Sequence, residues 1–176
     1  LAMLAGIKAL KEGQVKKLVL TRPAVGVDDE QHGFLPGDIN AKMAPWTRPL
    51  FDVIAEYYRP QEVARMLEEQ VIEISPLAFM RGRTFKDSWI VADEMQNATP
   101  GQMKMLLTRL GEGSKIVVTG DTRQADRSDD NNGLLDFKSL VAAYQQSKYV
   151  AGVQFENKDI KRHPAVEEIL SIYGED

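Results

Sequence analysis

The apolar residues of this chain fall into two kinds of run. Short blocks rich in Val, Ile and Leu recur at Lys17–Thr21 (KLVLT), Val71–Ile74, Ser88–Ala92 (SWIVA), Lys115–Thr119 (KIVVT) and Val150–Phe155. Each reads as a short strand. Because most of them do not alternate apolar with polar positions, both faces of the sheet are expected to be covered. Between these blocks the apolar spacing is helical. Leu1–Glu12 is ended by Gly13, and Ile39–Glu69 reads as at least two pieces broken near Pro45, Pro49 and Pro60. Pro100–Leu110 carries proline in its first turn, and Gly133–Tyr144 and Pro164–Tyr173 follow. Arg22–Asp38 and Asp121–Gly133 carry the composition of loops. This order of elements, with long connections between most strands, predicts a doubly wound α/β domain: three α/β/α layers around a mostly parallel sheet. In such sheets ligands bind beyond the carboxyl ends of the strands. Those ends carry Thr21-Arg22, Asp93-Glu94 and Thr119-Gly120-Asp121.

Composition narrows the class. The 176 residues, 43% hydrophobic and 27% charged, suit one globular domain spanning residues 1–176. No apolar run approaches the ~20 residues that cross a bilayer, so no membrane partner is expected. The chain has no cysteine, which removes disulfides and thiolate metal sites and fits a reducing cytoplasm. With only His32 and His163, a multi-histidine metal site is not expected. A formal net charge of −4 means that any nucleic-acid contact must come from a local basic patch.

Asp93 and Glu94 are the first candidates for chemistry. An apolar strand delivers both carboxylates to the sheet edge. Mg2+ prefers oxygen ligands and keeps several waters, so one strand-end Asp together with phosphate oxygens suits it. A neighbouring Glu can orient or deprotonate a water. The pair alone equally fits a turn cap beside a solvated charge. Its surroundings sharpen the reading. Asp93-Glu94-Met95-Gln96 matches the Asp-Glu-x-Gln form of the Walker B element in superfamily 1 helicases. Gly120-Asp121-Thr122-Arg123-Gln124, after the next predicted strand, matches the Gly-Asp-x-x-Gln motif of the same superfamily.

Five further blocks extend the likeness. They are Thr21-Arg22-Pro23-Ala24-Val25, Gly33-Phe34-Leu35-Pro36-Gly37-Asp38, Pro76 to Thr84 (PLAFMRGRT), Gln102-Met103-Lys104-Met105 and Arg162-His163-Pro164. Together they resemble the PhoH-like proteins, from Leu1 to about Tyr173. The resemblance implies a RecA-like P-loop NTPase core that binds ATP and Mg2+ and hydrolyses ATP. It implies that Asp93 holds the metal, Glu94 activates the attacking water and Gln124 reads the γ-phosphate. Thr21, Arg22, Gln96, Gly120 and Asp121 would line the nucleotide, and Arg162 or Arg109 would bring positive charge to the transferring group. It further implies RNA-helicase or RNA-processing roles and a homo-oligomer, a hexameric ring, in which a neighbouring subunit completes the cleft. The family's Walker A loop precedes the first helix. The sequence holds no Gly-x-x-x-x-Gly-Lys and begins with an uncapped helix at Leu1, so that strand and loop are expected upstream. The acidic stretch Gly26–His32 is longer than is usual in the family.

Arg81, Arg83 and Lys86, interleaved with Phe79 and Phe85, could meet the phosphates and bases of single-stranded RNA, or could be a solvated loop with its aromatics in the core. For Arg162 and Arg109 the competing reading is a structural salt bridge. Three functions are therefore in view. The first is an RNA-coupled ATPase. The second is a nucleotide-gated RNA adaptor that recruits a nuclease and hydrolyses little ATP. The third is a kinase on the same core, which leaves Gln96 and Gln124 without a task.

Overall fold

The computed structural model describes residues 1–23, 48, 51–122, 131–144, 146–155, 159 and 164–173. Two compact units divide the chain, Leu1–Leu140 and Val141–Asp176.

The first unit is built on a parallel four-stranded sheet. Its strands are β1 (Lys17–Thr21), β2 (Ile72–Ile74), β3 (Ser88–Ala92) and β4 (Lys115–Val118), in the order β2-β1-β3-β4. Helix α1 (Ala2–Lys11) precedes β1. Helix α2 (Pro60–Glu68) precedes β2, after a helical segment at 51–55. Helix α3 (Pro100–Leu107) joins β3 to β4, and α4 (Gly133–Ala143) follows.

Alternate residues of the same strands feed two separate cores. Leu18, Leu20 and Val91 face Met3 and Ile7 of α1, with Ile54 and Ile72 and the partly buried Val63, Met66 and Leu67 of α2. Val19, Ile90 and Ala92 face Met103 and Leu106 of α3, Leu77 and Met80 of a 3-10 turn, and the flank of α4 through Leu134 and Phe137. Both faces of the sheet are thus covered, which explains why the strands read as unbroken apolar runs. The three-layer α/β/α arrangement expected of a RecA-like P-loop core is what the first unit shows.

Local chemistry sets the boundaries of α3. Thr99 caps it: its hydroxyl accepts from Gln102 N at 3.2 Å, while Gln102 Oε1 accepts from Thr99 N at 2.9 Å, a reciprocal capping box. The helix stops at Leu107, three residues before the expected Leu110. There the Thr108 hydroxyl lies 3.0 Å from Lys104 O and 2.9 Å from Met105 O and gives its one proton to one of them, while Arg109 Nε donates to Met105 O at 3.1 Å. Those side chains satisfy carbonyls that a further turn would have used.

In the second unit α5 spans Pro164–Tyr173. The strand expected at Val150–Phe155 is not formed. Val153 is 81% and Phe155 60% exposed, so these β-formers are left largely uncovered. A strand is stabilised by its ladder and by a covered face, and propensity alone does not hold one.

Candidate active site

The sheet brings three strand ends into one row. Thr21 pairs with Ala92 and Ala92 with Val118. The backbone bonding continues one step beyond the strands. Asp93 N donates to Thr21 O at 3.0 Å, Thr119 N to Ala92 O at 2.8 Å, and Met95 N to Thr119 O at 3.0 Å. Asp93 and Thr119 therefore stand side by side, and the Thr119 hydroxyl donates to Asp93 Oδ1 at 2.6 Å. The same hydroxyl lies 3.5 Å from Ala92 O. It has one proton, and the shorter contact to a carboxylate takes it.

After Asp93 the chain reverses. Glu94 has φ +54, a left-handed conformation that a residue with a Cβ adopts at a cost of about 1 kcal/mol or more. The reversal starts a 3-10 turn, Met95–Asn97, whose three residues are all buried, while Glu94 stays partly exposed. The turn sends Gln96 back beneath the acid, where Gln96 Nε2 donates to Glu94 Oε2 at 2.7 Å. Arg22, from the end of β1, brings Nη2 to 3.8 Å from the same oxygen. With side-chain exposures of 28% and 39%, that ion pair contributes about 0–1 kcal/mol and serves mainly to orient the acid.

Two buried polar atoms in this row, Thr21 Oγ1 and Gln96 Oε1, make no hydrogen bond among the described residues. Gly120 closes the row. A Cβ at that position would lie 2.5 Å from Gln96 Oε1 and 2.8 Å from Leu134 Cδ2, so the contact admits only glycine without a shift. Asp121 follows, partly buried.

These residues suit a magnesium nucleotide. One oxygen of Asp93 is occupied by Thr119, and the other makes no hydrogen bond among the described residues. Among the described residues no group of three or more His, Asp or Glu side chains could hold a metal ion. A cation bound at Asp93 would therefore depend on ligand oxygens and water, which is how Mg2+ is held beside phosphates and unlike a resident metal in a protein cage.

Other expected residues lie elsewhere. Arg109 spends its guanidinium on Met105 O, on Arg83 O at 3.3 Å and on Thr108 Oγ1 at 3.1 Å. Its carbonyl accepts from Phe85 N, ahead of β3, so Arg109 sits at the opposite end of this five-residue strand, about 15 Å from Asp93. Arg83 is held by Glu73 in a two-pronged ion pair and stacks 4.4 Å from the Phe85 ring centre. Lys17 bonds the same Glu73 at 3.0 Å. The Arg83 hydrogen bond holds the Glu73 carboxyl below its ordinary range against the opposing pull of burial, and Lys17 adds to the lowering. Phe85 is a core residue, whereas Phe79 is 58% exposed. Arg81 and Lys86 are exposed, and Lys86 lies just ahead of β3, away from the carboxyl row. Arg83 is thus engaged by Glu73 and Phe85 by the core, while Arg81, Lys86 and Phe79 stay exposed. Gln124 and Arg162 lie outside the described residues.

Thr119 is expected from the sequence only as part of the strand-end row, with no role of its own. Its signal, a hydroxyl at a strand end, becomes informative only once the register sets it beside Asp93.

The family described as PhoH-like protein matches residues 1–174. A PhoH-like protein of Bacillus subtilis strain 168 is 42% identical over 174 residues, covering 98% of this chain and 53% of the relative. One from Synechocystis is 42% identical over 176 residues, covering 98% and 52%. Protein PhoH of Escherichia coli K12 is 37% identical over 170 residues, covering 95% and 47%. The chain spans about half the length of the curated relatives it matches. With the family pattern matched over nearly every residue, the chain belongs to the PhoH-like protein family.

Proposed function

We propose that the protein binds ATP with Mg2+ and hydrolyses it, and that turnover is coupled to binding or remodelling of single-stranded RNA. The observation that carries this reading is the paired acid at the end of β3: Asp93 fixed by Thr119, and Glu94 turned outward and held by Gln96 and Arg22. Asp93 would offer its open oxygen to the magnesium of the nucleotide, whose chemistry is to neutralise phosphate charge. Glu94 would take up a proton from the attacking water. Thr21, Arg22, Gly120 and Asp121 stand along the same row and would face the nucleotide. Gln124 would read the γ-phosphate, and a phosphate-binding loop from the fuller polypeptide would cradle the other side. Arg162, from the same or a neighbouring subunit of a ring, would supply positive charge, and Arg109 could serve only from a neighbour.

The RNA part of the proposal rests on family likeness and on exposed Arg81 and Lys86. The test is steady-state ATP turnover by the full-length protein with and without single-stranded RNA. Turnover that rises with RNA supports a coupled ATPase. RNA binding gated by nucleotide with negligible turnover favours the adaptor that recruits a nuclease.

A further inference from the structure

Gln96 joins two segments that the sequence presents as separate motifs. The residue is 1% exposed. One end of the amide, Nε2, donates to Glu94 Oε2 at 2.7 Å. The other end, Oε1, lies where a Cβ on Gly120 would come within 2.5 Å, and has no hydrogen-bond donor among the described residues. The amide cannot be turned over. That would set Oε1 against Glu94 Oε2, acceptor facing acceptor, in place of the donor that now bonds it. Leu134 of α4 closes in on Gly120 from another direction, and the bond from Met95 N to Thr119 O ties the two segments one residue away. The Gly120–Asp121 turn therefore cannot move toward Gln96 without pushing the amide, and the amide carries the donor that holds Glu94.

We propose that Gln96 is a positioning residue through which the Gly120–Asp121 turn sets the orientation of the Glu94 carboxylate. The inference rests on the reading of Glu94 as the group that activates water. It assigns Gln96 to the acid rather than to the nucleotide.

The experiment measures kcat, and separately nucleotide affinity, for the full-length protein and for Gln96→Met, Gln96→Ala, Gly120→Ala and the Gln96→Ala/Gly120→Ala double variant. Methionine keeps the length of the side chain and removes the donor. Gln96→Met is expected to lower kcat about 10- to 100-fold, the range for residues that orient a reacting group, with nucleotide affinity changed less than about twofold. Gly120→Ala is expected to lower kcat in the wild-type background. In the Gln96→Ala background, where the amide no longer fills the space, it should add less than about a twofold loss. Wild-type kcat in Gln96→Met, nucleotide affinity falling in parallel with kcat, or full multiplication of the two losses in the double variant overturns the inference. Should Gly120→Ala fail to fold against Leu134, the kcat and affinity of Gln96→Met decide alone. Absence of turnover in the wild-type protein overturns the hydrolysis reading and this inference with it. An active wild type that is indifferent to Gln96→Met overturns the inference only.

Discussion

The hydroxyl of Thr119 donates a 2.6 Å hydrogen bond to Asp93 Oδ1 across the β3–β4 ladder. The bond fixes which carboxylate oxygen faces outward. Thr119→Val keeps the shape and removes the donor, so Asp93 is free to rotate. Divalent-cation affinity, read with Mn2+ in the presence of nucleotide by electron paramagnetic resonance, is expected to fall about 10- to 100-fold, and Thr119→Ser to restore it. Equal affinity in Thr119→Val and the wild type would remove Thr119 from the site.

The Glu73 cluster ties β2 to β1 and to Arg83, and it makes stability depend on pH. The folded-state Glu73 carboxyl is lowered by its bond from Arg83 and then by Lys17, against the effect of burial. A lowered carboxylate contributes stability that is fully present above its ordinary value of 4.5 and is lost as the pH falls through the lower folded-state value. Glu73→Gln is therefore expected to lose about 2 kcal/mol at neutral pH, the scale of a charged hydrogen bond. It should also flatten that acid limb in urea titrations. An unchanged acid limb would show that Glu73 is not the group responsible.

Gly6 sits on α1 directly over Trp89. A Cβ there would lie 2.6 Å from Trp89 Cδ1 and 2.9 Å from Nε1. Alanine gains about 1 kcal/mol of helix propensity at such a position. Overpacking against a ring costs about 1–3 kcal/mol, so the clash is expected to win. Gly6→Ala should lower the thermal midpoint by a few degrees and Gly6→Val by more, with a shift in Trp89 fluorescence. A rise in the midpoint for Gly6→Ala would mean that the ring moves aside freely.

The capping box at Thr99 links the acidic turn to α3. Thr99→Ala removes the acceptor for Gln102 N and is expected to cost about 1 kcal/mol. The loss should appear in amide exchange at the start of α3 before it appears in the global unfolding midpoint.

Where the sequence was informative, it was because burial on both faces leaves a visible mark. Lys17–Thr21 and Ser88–Ala92 fold as strands at their expected bounds because each lies inside the sheet with neighbours on both edges. The acidic pair was legible because it follows such a strand directly. The partners of that pair were not. Thr119 and Arg22 reach Asp93 and Glu94 only through strand register, and Gln96 reaches Glu94 through a left-handed backbone that local composition does not announce. Arg83 and Arg109 were legible as charges but not as to use. Whether a cation serves a ligand, an ion pair or a helix terminus depends on which carboxylate or carbonyl the fold delivers to it. The residues Val150–Phe155 show the converse, a segment rich in β-formers that joins no ladder among the described residues.

The most direct test of the central claim is Glu94→Gln in the full-length protein, with ATP turnover and ATP binding measured on the same preparation. Removing the proton acceptor while keeping its shape is expected to lower turnover by about 10²- to 10⁴-fold and to leave ATP affinity close to that of the wild type. Turnover retained in Glu94→Gln would contradict the account.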